Sequence, residues 1–284
     1  MSRQELTEIS RSLFVDINYK TTLAELGLTS IEGVFSFNAG KNLAKKNLAN
    51  FRSRLQFQTS SPPATLFLKR YDKPPVFVQL KSWLSHRSRK SLGLAEFASA
   101  SRLSAAGVNT PNTVAYGEQL GVFFEKRSFI ITERIPSAES LARKVPDFFT
   151  GPVTAENLKL RREFIAQLAT FIKKFHQTNY RHRDLYFSHI FYGDDGQFYL
   201  IDLARAFKPV LWRERFRIKD IAQLYYSAPG RYFSRTSRLR FYLGYAGSHK
   251  LTSKDKAFIR KVVTKVKHMA RHNTKHGRDV PFVS

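Results

Sequence analysis

The stretch RHRDLYFSHIFYGDDGQFYLIDLARAF, residues 181–207, puts two carboxylates, Asp184 and Asp202, at the outer ends of two apolar runs. Two aspartates so placed can do chemistry together. One orients a nucleophilic hydroxyl while the other holds a metal against a phosphate. They also have a purely structural reading, in which Asp184 caps a turn and Asp202 ends a strand. The elements that carry them have to decide.

The runs HIFY and FYLID read as strands joined by the turn GDDGQ. The segment TAENLKLRREFIAQLATFIKKFHQ leads into them. It sets Leu158, Phe164, Ile165, Leu168, Phe171, Ile172 and Phe175 near one helix face, with Thr154 as its cap. Upstream, SRQE (Ser2–Glu5) and TLAE (Thr22–Glu25) fit the capping-box pattern of two early helices, with Gly27 at a helix end. GVFSF, FRSRLQFQ, ATLFLKRY, TVAYGE and SFIITERIP read as strands, and residues 91–106 as a helix stopped by Gly107. IKDIAQLYYS and residues 254–276 are further helices. The order is strands with one helix, then helices with one hairpin. The expected architecture is α+β in two lobes, residues 1–135 and 136–284, with a cleft between them.

The 284 residues include 48 Lys and Arg against 22 Asp and Glu, a formal net charge of +26, so an anionic partner is expected. No Cys is present, which excludes disulfides, thiolate metal sites and cysteine nucleophiles. No apolar run is long enough to span a bilayer, and the first residues lack the apolar core of a secretory signal. An intracellular location is the expectation.

Order and residues together resemble the protein-kinase-like fold: a small antiparallel-sheet N-lobe and a mainly helical C-lobe. The segments HRDLYFSHIF, LIDLARA, LFLKRY, GVNTPNTVAYGE and HQTNYRHRDLY are similar to the lipopolysaccharide kinase family, of the heptose-kinase and Kdo-kinase type, over roughly residues 35–227. The resemblance implies ATP-dependent phosphorylation of a sugar hydroxyl in the lipopolysaccharide inner core, at the cytoplasmic face of the inner membrane. It implies that Asp184 orients the attacking hydroxyl, with Arg183 beside it in the catalytic set. Asp202 would hold Mg²⁺, a hard cation suited to carboxylate and phosphate oxygens. Lys69 would reach the ATP phosphates and Glu96 would fix its ammonium. The backbone from Glu133 to Ile135 would meet adenine, and Asp220 would brace the catalytic loop.

Two departures stand out. His189 occupies the place where a protein kinase has a metal-binding Asn, and imidazole suits zinc or copper better than magnesium. It is therefore read as orienting Asp184 or a phosphate. No G-x-G-x-x-G loop exists; Gly40 and Lys41 in NAGKNLAKKN are the candidates for contacting phosphate, beside the reading of an ordinary basic loop. The last helix has an apolar stripe that packs on its own core or lies on an anionic membrane, the former being favoured. No zinc-finger or RNA-recognition pattern points to nucleic acid. Rival readings are a kinase of another small molecule or protein, and a basic non-catalytic pseudokinase scaffold.

Overall fold

In a computed structural model, residues 6–43, 49–151, 154–277 and 280–281 are described. The chain divides into two compact units, Met1–Arg102 with Thr110–Pro136 and Asp202–Arg205, and Leu103–Asn109 with Ser137–Ile201 and Ala206–Ser284.

The first unit opens with β1 (Leu6–Ser10) and β2 (Leu13–Asp16), followed by α1 (Lys20–Glu25) and α2 (Ile31–Ser36). Then come β3 (Lys41–Asn42), β4 (Arg52–Ser60), β5 (Pro63–Asp72), α3 (Val76–His86), α4 (Leu92–Ala105), β6 (Thr113–Leu120) and β7 (Glu125–Glu133). Among the described residues its strands form one antiparallel sheet in the order β1-β2-β6-β7-β5-β4-β3. Alternation along β5 buries Leu66 and Leu68 against Phe129 and Ile131 of β7 and Leu13 and Val15 of β2. The opposite parity carries Phe67 and Lys69, so burial of one face fixes where the lysine points.

The N-terminal expectations need correction. The capping box at Ser2–Glu5 lies outside the described residues, and the segment after it is a β-hairpin. Ser12, at φ 65°, turns it, and its N–H donates to Glu8. Thr22 lies inside α1, its hydroxyl bonded to the Ser61 carbonyl, so it caps nothing. GVFSF is mostly helical: Ser30 accepts from the Gly33 N–H and starts α2, and this cap outweighs the strand preference of a short Val-Phe run. Gly27 does end α1, at φ 70°, with Leu28 N–H bonded to Leu23 O and Gly27 N–H to Ala24 O.

The second unit holds β8 (Ala138–Ser140), α5 (Leu141–Phe149), α6 (Ala155–Gln177), β9 (Ile190–Gly193), β10 (Phe198–Leu200), α7 (Arg213–Ser227), α8 (Arg235–Ala246) and α9 (Ser253–Lys275). Thr154 caps α6 as expected, accepting from Asn157 N–H. The strands β10-β9-β8 form a small antiparallel sheet. The stripe of α9 buries Phe258, Val262 and Val266, and Arg217 of α7 lies over the Phe258 ring at 4.4 Å. That stripe is core, as favoured. A cavity of about 280 Å³ opens among α6, α7, α8 and α9, lined by Leu168, Leu224, Phe241, Val262 and Val263 among others. No helix among the described residues is long and apolar enough to cross a membrane.

Candidate active site

The site residues fall into two sets, one in each unit. In the first, Lys69 Nζ lies 2.5 Å from Glu96 Oε1 and 3.1 Å from Asp202 Oδ1. Strand β5 delivers the lysine and α4 the glutamate, whose other oxygen accepts from Tyr71 O–H at 2.9 Å. Burial alone would pull the Lys69 ammonium down. Glu96 and then Asp202 outweigh it and hold the pKa above the usual lysine value.

A fourth residue joins them that the sequence reading missed. Arg54 Nη2 lies 3.2 Å from Asp202 Oδ2. Register explains its presence, since Arg54 of β4 sits directly opposite Lys69 of β5. Like charges so placed repel, and here Glu96 and Asp202 offset them. The signal lay in pairing RSR with LKR across the Ser-Pro-Pro turn.

Asp202 itself adopts φ 58°, the left-handed region a non-glycine residue enters at a cost. Its oxygens are hard donors of the kind magnesium takes. No group of three or more His, Cys, Asp or Glu converges among the described residues. Magnesium ordinarily takes one or two carboxylates and completes its shell with phosphate and water, so the donor set fits that ion.

At the end of β7, Glu133 N–H donates to Asn112 O and Arg134 N–H to Thr65 O, each at 2.9 or 2.8 Å. The Glu133 carboxylate accepts from Tyr19 O–H and Asn112 Nδ2. Ile135 follows, buried. Gly40, at φ 106°, lies against β4, where a Cβ would come within 2.4 Å of the Gln56 carbonyl. This close approach by itself demands glycine there. Lys41, exposed, pairs with Gln56 in β3–β4, and Lys45 and Lys46 of the same loop lie outside the described residues.

In the second unit, the loop after α6 is held by one face of α7. Asp220, Gln223 and Ser227 stand at i, i+3 and i+7 of that helix. Asp220 accepts the His182 and Arg183 N–H groups, both at 2.8 Å; Gln223 Oε1 accepts Leu185 N–H at 3.1 Å; Ser227 Oγ accepts Phe187 N–H at 2.9 Å. Four backbone donors on either side of Asp184 are thereby fixed. Only Asp220 had been singled out from the sequence. The buried polar spacing in DIAQLYYS was the available signal for the other two.

Behind Asp220 the network continues. His176 Nε2 lies 3.3 Å from Asp220 Oδ2, and its Nδ1 lies 2.8 Å from Tyr245 O–H. Burial lowers the His176 pKa and raises that of Tyr245 to about 12. The consistent assignment is a neutral imidazole that receives the Tyr245 proton and donates Nε2–H to Asp220. Arg183 adopts φ 70°, and its guanidinium lies over the Phe207 ring at 5.2 Å. His182 donates from Nε2 to the carbonyl of Ile201, the residue before Asp202, at 3.0 Å. His189 donates from Nδ1 to the Asp184 carbonyl at 2.7 Å. Through this bond the imidazole serves the backbone of Asp184.

A model of the lipopolysaccharide kinase (Kdo/WaaP) family matches residues 78–245, more than half of the chain. The chain belongs to this family. It is 31% identical over 184 residues to the lipopolysaccharide core heptose(I) kinase WaaP of Escherichia coli K12, covering 62% of this chain and 68% of that protein. It is 32% identical over 153 residues to the protein of the same name from Pseudomonas aeruginosa, covering 51% of this chain and 56% of that one. A solved structure described as WaaP in complex with acyl carrier protein superposes with a TM-score of 0.69 at 23% identity, over 91% of this chain and 99% of that chain. The fold is the protein-kinase-like one, with an antiparallel-sheet N-lobe and a helical C-lobe.

Proposed function

We infer that the protein is an ATP-dependent phosphotransferase that phosphorylates a sugar hydroxyl of the lipopolysaccharide inner core, a heptose being the first acceptor to test. The observation that carries this reading is the Lys69 ammonium shared between Glu96 and Asp202. It is a preorganised cation of the kind phosphoryl transfer needs, where catalysis is mostly positioning and charge neutralisation. In the proposed mechanism Asp184 orients the sugar hydroxyl and takes its proton as the γ-phosphoryl group is transferred, and Arg183 is held beside it by Asp220. Lys69 and Arg54 meet the phosphates. His189 positions Asp184 through its carbonyl. With the Glu133 and Arg134 N–H groups committed inside the sheet, Ile135 is the donor left to the adenine edge. Asp202 would hold Mg²⁺, which when bound neutralises charge on the phosphates. Gly40 and Lys41 keep only the weaker reading of a basic loop near phosphate.

The proposed division of labour is nucleotide binding by residues 1–135 together with Asp202, and acceptor chemistry by the rest of residues 136–284. We place the enzyme at the cytoplasmic face of the inner membrane, where its acceptor glycolipid is assembled. The apolar cavity among α6–α9 suits an acyl chain, and acyl carrier protein, named as partner of the structural neighbour, is the candidate donor of one. Crosslinking of a photoreactive acyl group into Leu168 or Val263 checks that assignment.

The deciding experiment is transfer of labelled γ-phosphate from ATP and Mg²⁺ to a lipopolysaccharide core lacking its phosphates, with wild type beside Asp184→Asn and Asp202→Asn. Label in the glycolipid from wild type alone is the expected result. Absence of label from folded wild type with heptose and Kdo acceptors alike would remove the reading and favour the pseudokinase scaffold.

A further inference from the structure

Helix α3 is turned the opposite way from an ordinary surface helix. Its inward side chain is Gln79, whose Nε2 donates to Pro74 O at 2.8 Å and Glu125 O at 3.2 Å, while its Oε1 accepts Glu125 N–H at 2.8 Å. A buried amide with three hydrogen bonds fixes the rotation of the helix about its axis. Helical spacing then aims the other side at solvent, leaving Phe77 71% and Leu84 82% exposed, with Leu80 between them.

The tip of the β6–β7 hairpin adds Val122, 90% exposed, and Phe123, 68% exposed. The two elements are joined. Trp83 of α3 stacks on Phe124 of the tip, with centroids 5.4 Å apart and planes within 5°. Arg89 lies over the Trp83 ring at 5.1 Å and donates to the Phe123 carbonyl at 3.0 Å.

The charges on α3 and the segment after it are all positive, and the acids near them are Asp72, paired with Arg127, and Glu118, close enough to act on Lys90. From Lys73 to Ala95 the chain carries Lys73, Lys81, Arg87, Arg89 and Lys90 and no acid. Lys126 adds to them from the hairpin, its carbonyl accepting Lys73 N–H, and the acid beside it, Glu125, is buried. Exposed large apolar side chains ringed by cations are the composition of an element that enters the headgroup region of an anionic bilayer.

We propose that α3 and the β6–β7 tip form the surface by which this protein docks on an anionic phospholipid bilayer. Phe77, Leu84, Val122 and Phe123 enter the boundary between headgroups and acyl chains, and Lys81, Arg87 and Arg89 meet lipid phosphates. A second copy of this chain is the poorer occupant, because it brings the same positive rim on a body of charge +26. The inference deepens the proposed function and rests on it for the reason to dock, since a glycolipid acceptor has to be met at a membrane.

The test is sedimentation with vesicles of phosphatidylglycerol and phosphatidylcholine in equal parts, against phosphatidylcholine alone, without ATP. Wild type should bind the first and not the second. Phe77→Ser, Leu84→Ser and Phe123→Ser combined should weaken binding by roughly a thousandfold, about tenfold for each side chain removed. The same protein should still phosphorylate a detergent-dispersed acceptor. Trp83 and Trp212 are the two tryptophans, so Trp212→Phe leaves one indole at the patch. Its quenching by brominated acyl chains reads docking with every apolar residue of the patch intact. Triple-variant binding equal to wild type, an unquenched Trp83, or wild-type dimers dispersed by the three substitutions would each overturn the proposal. Vesicle binding without phosphotransfer by wild type would sink the kinase reading and leave the docking surface standing.

Discussion

Asp220→Asn tests the link from α7 to the proposed catalytic loop with a change of one atom type. Asp220 is wholly buried and accepts three hydrogen bonds, from His182 N–H, Arg183 N–H and His176 Nε2. Those to His182 and Arg183 fall on different oxygens. An asparagine can keep an acceptor on one side only, and its NH₂ must then face a buried N–H on the other. Losing a hydrogen bond to a charged group costs about 1.5–3 kcal/mol, and stranding a buried donor costs about 1–3. Together the loss should be about 2.5–6 kcal/mol, a large share of the 5–15 kcal/mol that typically holds a folded protein. Activity should suffer further, because Arg183 keeps its φ of 70° only while the loop is held. A shift of about 1 Å at Asp184 is worth roughly a hundredfold in rate. Urea unfolding followed by far-UV circular dichroism reads the first effect, and turnover per folded molecule reads the second. Tyr245→Phe is the control, since it removes one outer hydrogen bond and should cost about 1 kcal/mol with turnover kept. An Asp220→Asn protein within about 0.5 kcal/mol of wild type, with normal turnover, would refute the idea that this carboxylate holds the loop.

Asp184→Asn should leave the unfolding curve in place and lower transfer by roughly 10²–10⁴-fold, measured as single-turnover label transfer. Arg54→Gln should raise the KM for ATP more than it lowers kcat, and an unchanged KM would remove Arg54 from the phosphates. Glu125 is pushed up to about 7 by burial, against the hydrogen bonds it accepts from Ser128 and Leu92. A raised folded-state value means its contribution is whole below about pH 4.5 and is lost as pH rises through 7. The loss is roughly 3 kcal/mol by linkage, and a Glu125→Gln protein should show a flatter stability profile over that window. Gly40→Ala should cost stability through its clash with the Gln56 carbonyl whether or not ATP is present, whereas Lys41→Ala should leave stability unchanged. A stable Gly40→Ala protein defective only in ATP binding would restore the loop to a phosphate role.

The sequence exposed the elements whose own pattern was long enough to speak. Residues 155–177 carry six turns of apolar periodicity and a capping threonine, and the strand around Lys69 alternates from Leu66 to Arg70. The short N-terminal pieces did not speak clearly. In GVFSF a single serine upstream decides between strand and helix, and the capping-box pattern of residues 2–5 drew attention from the strands β1 and β2 that follow it. Helix α3 went unread for a sharper reason. Its apolar face points to solvent and its glutamine points inward, so no pattern of a buried stripe could be completed. Arg54 needed a register, and Gln223 and Ser227 needed the knowledge that α7 buries a polar face. Each is a tertiary fact carried by residues that look ordinary along the chain.

In a chain with 48 cations and 22 acids, a buried carboxylate has to leave water without an unbalanced charge, and Glu96, Asp220 and Glu125 do so in three ways. Glu96 meets an ammonium at 2.5 Å and a phenol at 2.9 Å. Asp220 meets two backbone N–H groups and an imidazole N–H. Glu125 is held by one hydroxyl and one N–H, and it is the one burial pushes up to about 7. The three solutions do different work. An ion pair keeps a cation ready for another anion, a cage of N–H groups fixes a backbone, and a carboxyl near neutrality anchors the start of α4 without demanding a counterion. Asp202 stands apart, partly exposed between Lys69 and Arg54. Of these four acids it is the one that pairs with two cationic side chains at once, which suits the metal-holding role proposed for it.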